Sequence, residues 1–166
     1  SLDVRKDGDW AAAVDHCVSQ CGGLDVVINN AGIEISELFI DTTPDDCRNL
    51  FDINLMGVML GTKHAFLAMK PEGGSGRGGA ILNLASVAGL TSTPALAAYS
   101  ASKAGVISLT KLAAAEAGAF DAFFNTHRRQ LIWSVLHLER TARDTLPLPL
   151  PEEETTPFSP LSALES

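Results

Sequence analysis

The chain has 166 residues, 46% hydrophobic and 6% aromatic, which suits one α/β core. A formal net charge of −8 and a pI near 4.8 argue against nucleic acid or an anionic membrane as partner. No apolar run reaches about 18 residues and no signal-peptide pattern is present, so the expectation is a cytoplasmic protein without a membrane partner.

The first element expected is a helix over about 10–21, with Asp9 as its cap and Trp10, Ala13, Val14, Cys17 and Val18 as its inward face. Cys17, Cys21 and Cys47 form an odd set with no CxxC spacing, as suits reduced thiols. His16, Cys17 and Cys21 lack a fourth metal ligand, so no metal site is assigned. Gly22-Gly23 ends the helix and leads into an apolar strand over 25–30, which runs into the small-residue turn Asn29-Asn30-Ala31-Gly32. Pro44-Asp45-Asp46 opens a long helix to about Met69, with Leu50, Phe51, Leu55, Val58, Met59, Thr62 and Phe66 on its apolar side.

Residues 73–79 are a glycine-rich loop that resembles a phosphate cradle in composition only, since no strand precedes it and no helix follows it. A second buried strand covers 80–85 and ends at Ser86. A helix over about 97–117 then carries Tyr99 and Lys103, four apart and therefore on one face. An ammonium ~4 Å from a phenol at an effective dielectric of ~20 is worth up to roughly 4 kcal/mol. That would bring a group that ordinarily titrates near 10 toward neutrality, where it serves as a general acid or base. The β-α-β-α order predicts an α/β protein: a partial doubly wound, Rossmann-like parallel sheet with flanking helices.

The succession Asn29-Asn30-Ala31-Gly32, Asn54, Ser86 and Tyr99-Ser100-Ala101-Ser102-Lys103 resembles the short-chain dehydrogenase/reductase family, classical type, over residues 1–118. The resemblance implies an NAD(P)-dependent oxidoreductase acting on a small-molecule alcohol or ketone. Tyr99 then matches the proton donor or acceptor, and Lys103 the residue that tunes it and holds the nicotinamide ribose. Ser86 matches the hydroxyl that polarises the reacting oxygen, and Asn54 the anchor of a relay water. Asn29, Ala31 and Gly32 match the turn beneath the adenosine side of the cofactor, and Asp3 the cap on the adenine amino group. Helices 45–69 and 97–117 match those that pair subunits in a homo-oligomer, with Met56, Leu60 and Leu109 on that face. NAD and NADP are not distinguished, because the acidic or basic residue that chooses between them falls in a segment the resemblance places before Ser1.

The family's glycine-rich pyrophosphate turn is absent as well, so the chain reads as a fragment or variant starting at the end of the family's third strand. Loss of the family's first strand would bare an apolar edge beside the 25–30 strand. Composition changes abruptly at the other end. All 14 glycines lie at or before Gly118, while five of the eight prolines lie beyond it. Residues 119–166 are thus expected to be a divergent tail. Phe120, Phe123, Phe124 and His127 suggest a helix over 119–141, and a Pro-Leu repeat leads into an extended or disordered stretch over 146–166. The alternative function is a catalytically silent product serving as an interaction or oligomerisation module.

Overall fold

The computed structural model describes residues 1–75, 78–119 and 133–134. The elements, in chain order, are α1 (Asp7–Cys21), β1 (Val26–Asn29), α2 (Pro44–Phe51), a π-helical turn (Asp52–Met56), α3 (Gly57–Met69), β2 (Ala80–Asn83), α4 (Ala97–Ala119) and β3 (Trp133–Ser134). All pairings are parallel in the order β1-β2-β3, with Val26 opposite Ala80, Asn29 opposite Asn83 and Leu82 opposite Trp133. The expected partial α/β sheet is present.

Helix α1 starts earlier than its charge pattern suggested. Lys6 occupies the N-cap without a side-chain bond, and Asp9 lies inside the helix, where its Oδ2 accepts from Asp3 N at 2.9 Å. Asp9 therefore ties the preceding turn to the helix instead of capping it. Helix α2 begins as expected, with Pro44 in its first turn and Thr43 accepting from Asp46 N.

The expected long helix over 44–69 is continuous but carries a π turn at 52–56, which shifts the phase of every later residue. Gly57, Val58, Gly61, Thr62, His64, Ala65, Ala68 and Met69 therefore face the interior, and Met59 is 45% exposed, contrary to its assignment to the apolar side. The buried core gathers Trp10, Leu24, Val27, Ala65, Ala68, Met69 and Ile81.

Side chains alternate across the sheet. Val27, Asn29, Ile81 and Asn83 are buried, while Val26 and Ile28 are 57% and 56% exposed on the opposite face of β1. Helices α1, α3 and α4 supply the packing on the buried face. The Asn29 Nδ2 donates to Asn83 Oδ1 at 2.8 Å and Asn83 Nδ2 to Thr110 Oγ1 at 3.0 Å. This buried polar chain links the end of β1 through β2 to α4.

The helix expected over 119–141 and the extended stretch over 146–166 lie outside the described residues, apart from Ala119 at the end of α4 and Trp133 and Ser134, which are extended as β3. No helix among the described residues is long and apolar enough to cross a membrane.

Candidate active site

The strands β1 and β2 run parallel, so their carboxyl ends lie on one side of the sheet, where open α/β sheets bind ligands. The Asn29–Gly32 turn leaves β1 there. Strand β2 ends at Asn83, two residues before the expected limit of 85, and the chain reaches Ser86 in extended form. Ser86 then caps a short 3₁₀ turn over Val87–Gly89, its Oγ accepting from Ala88 N at 3.2 Å. That turn lies against α4. A Cβ at Gly89 would meet the Lys103 carbonyl carbon at 2.7 Å and Ala104 N at 2.8 Å, so only glycine allows this approach.

On α4, Tyr99 is half-buried and Lys103 is 6% exposed. The Lys103 Nζ stands over the Tyr99 ring, 5.6 Å from its centroid, and donates to the Leu84 carbonyl at 2.8 Å. Leu84 lies between β2 and Ser86, so this bond fastens the Tyr99 helix to the segment that carries the serine. Burial pushes the Lys103 pKa below its ordinary value. An ammonium has three donors, and Leu84 takes one among the described residues.

Asn54 is fully buried, and both ends of its amide are engaged. Its Oδ1 accepts from Ile33 N at 2.8 Å, and its Nδ2 donates to Ile33 O at 2.8 Å and to Ser102 Oγ at 3.2 Å. Ser102 Oγ donates in turn to the Tyr99 carbonyl at 2.7 Å. The side chain expected to anchor a water thus clamps the segment after the turn to the tyrosine helix. It sits in the π turn, a distortion often found at functional sites. Gly32 completes the cluster. A Cβ there would lie 3.3 Å from Asn54 Oδ1 and 3.6 Å from Lys103 Nζ, so its absence keeps the ammonium open from the turn.

The contacts therefore join Gly32, Asn54, Tyr99 and Lys103, with Ser86 tethered through Leu84. Asn29 is buried in the β1–β2–α4 polar chain, and Ala31 is exposed on the turn. Asp3 forms hydrogen bonds with Arg5 at 2.9 Å, and these, above all, hold its carboxyl well below the usual range. The sequence reading missed Ser102, whose central position comes from a contact 48 residues away in the chain.

The donor set fits the ribose end of a nicotinamide dinucleotide, since a buried ammonium with donors to spare suits a pair of hydroxyls. It offers no pyrophosphate seat at the Asn29–Gly32 turn, because residues 30–43 follow as a loop and no helix N-terminus begins there.

A family profile described as short chain dehydrogenase matches residues 1–121. The chain belongs to this family. Its relatives include a trans-4-hydroxycyclohexanecarboxylate dehydrogenase of Sinomonas cyclohexanicum, 42% identical over 125 residues, covering 75% of this chain and 46% of that protein. A 3-alpha-(or 20-beta)-hydroxysteroid dehydrogenase of Mycobacterium tuberculosis is 41% identical over 117 residues, covering 70% and 44%. Among solved structures, ElxO with NADP bound superposes with a TM-score of 0.67 at 33% identity, covering 72% of this chain and 47% of that one. This short-chain dehydrogenase chain spans about half the length of the curated relatives it matches.

Proposed function

We propose that this chain is the catalytic portion, as a fragment or variant, of an NAD(P)-dependent oxidoreductase that interconverts a small secondary alcohol and a ketone in the cytoplasm. The observation that carries this reading is the buried Lys103 ammonium over Tyr99, open toward Gly32 and held to the Ser86 segment through Leu84. A bound nicotinamide, from NAD or NADP, supplies or accepts the hydride.

The chain's own groups handle the proton and the orientation. Tyr99 Oη gives a proton to the carbonyl oxygen in reduction and takes it back in oxidation. Ser86 Oγ hydrogen-bonds that same oxygen as charge develops on it. Lys103 holds the ribose hydroxyls with its spare donors. Asn54 holds the π turn and Ile33 in place, beside the tyrosine helix, where it anchors a relay water. The adenosine side rests on Asn29, Ala31 and Gly32, with Asp3 at the adenine, where Arg5 competes for the carboxylate. An alcohol or ketone as substrate agrees with the names of the dehydrogenase relatives.

Titration with NADH and NADPH, followed by nicotinamide fluorescence, tests the reading. This chain is expected to bind weakly, for want of a pyrophosphate seat at the Asn29–Gly32 turn, and a form extended to the relatives' length is expected to bind saturably. Absence of binding in the extended form overturns the reading.

A second reading is a silent interaction module that pairs through 45–69 and 97–117. Exposed Met56, Met59 and Leu112 on those helices favour it. A dimer in sedimentation without any cofactor binding in the extended form would select it.

A further inference from the structure

The last turn of α1, outside the candidate active site, carries two thiols. Cys17 and Cys21 are four apart, which places their Cβ atoms roughly 5–6 Å from each other on one face. Cys21 is exposed, and Cys17 is half-buried with its Sγ donating to the Gly23 carbonyl at 3.7 Å. A disulfide needs Cβ atoms about 3.5–4.5 Å apart, so joining the pair must tighten the turn that ends at Cys21. The chain beyond that turn can yield. Gly22 has φ +74 and is followed by a second glycine, while Leu24 is clamped at both N and O by Ser75 Oγ, each at 3.2 Å. The distortion falls at the helix end, where the bonds at risk are Gly22 N to Val18 O, 2.9 Å, and Cys17 Sγ to the Gly23 carbonyl.

From this geometry we infer that Cys17 and Cys21 form a redox site that reacts with a low-molecular-weight disulfide of the glutathione type and closes into an intrahelical disulfide. The exposed Cys21 thiolate attacks one sulfur of oxidised glutathione, which forms a mixed disulfide and releases one glutathione thiolate. The Cys17 thiolate then attacks the Cys21 sulfur, and the bond to the second glutathione breaks. In total the two protein thiols lose two protons and two electrons, and one glutathione disulfide becomes two glutathione thiols. Burial, chiefly, with Cys21 and Asp25 adding to it, raises the Cys17 pKa. The second step therefore quickens as pH rises.

The folded chain, carrying Cys47→Ser so that a single pair remains, is incubated with excess oxidised glutathione and read by intact mass and peptide mapping. The expected product is a Cys17–Cys21 link with no glutathione retained. Cys17→Ser, and equally Cys17→Ala, should stop at one glutathione on Cys21. A lasting glutathione adduct on Cys21 with Cys17 intact, a link between two chains, or closure only in denaturant would overturn the inference.

Discussion

Asn54 commits both ends of its side-chain amide to one residue, Ile33, accepting from its N and donating to its carbonyl, each at 2.8 Å. A side chain that mimics a strand partner in this way fixes backbone that belongs to no element of its own. Asn54→Ala should leave Ile33 N, Ile33 O and Ser102 Oγ short of partners at a buried site, at a cost of about 3 kcal/mol. Urea unfolding of the chain checks the figure. A loss below about 1 kcal/mol would mean that water replaces the amide freely.

Lys103 gives the chain a pH dependence whose sign follows from its lowered pKa. In the unfolded chain this lysine titrates at its ordinary 10.5, and in the folded chain it releases its proton at a lower pH. Below the folded value both states are protonated, and the desolvation cost of the buried ammonium is fully present. Between the folded value and 10.5 the unfolded state binds more protons, so stability rises with pH. Wild-type stability should therefore gain on that of Lys103→Met as pH climbs toward 10.5, measured by urea unfolding at a series of pH values. A constant or narrowing advantage for wild type would place the ammonium in solvent.

Tyr99→Phe removes the phenolic oxygen and leaves the ring under the Lys103 ammonium. In a form extended to the relatives' length, turnover should fall by more than about tenfold while dinucleotide affinity changes little, because the oxygen acts on the proton alone. Lys103→Met should weaken both. Retention of more than about a tenth of turnover in Tyr99→Phe would remove the tyrosine from proton transfer.

Much of this arrangement was legible in the sequence because local rules governed it. Pro44 with Asp45 and Asp46 after it set the start of α2, apolar runs set β1 and β2, and the four-residue spacing put Tyr99 and Lys103 on one face. The π turn was not legible, since Asp52–Met56 reads as ordinary helix and only the clamp of Asn54 on Ile33 shows what the extra residue accomplishes. Asn83 and Thr110 looked like unremarkable strand and helix residues, and their pairing spans 27 positions. Asp9 was misread because its proper partner, Asp3 N, belongs to a turn with no periodicity to announce it.

Gly61 is the position where the buried polar chain and the core leave no room. A Cβ there would lie 2.0 Å from Asn29 Oδ1 and 2.8 Å from two ring carbons of Trp10. Neither neighbour is free to withdraw. Asn29 is held by its bond to Asn83 and Trp10 by its indole donation to the Val4 carbonyl at 3.0 Å. Gly61→Ala should therefore destabilise by about 3 kcal/mol, because overpacking adds to the loss of a buried hydrogen bond. Gly8 is the matched control. It also lies within a helix, but a Cβ there meets nothing within 4 Å, so Gly8→Ala should stabilise by about 0.5–1 kcal/mol through the unfolded chain's lost freedom. Thermal and urea unfolding of the two variants side by side decide the matter: equal effects would mean that α3 does not press against Asn29 and Trp10 as closely as the distances require.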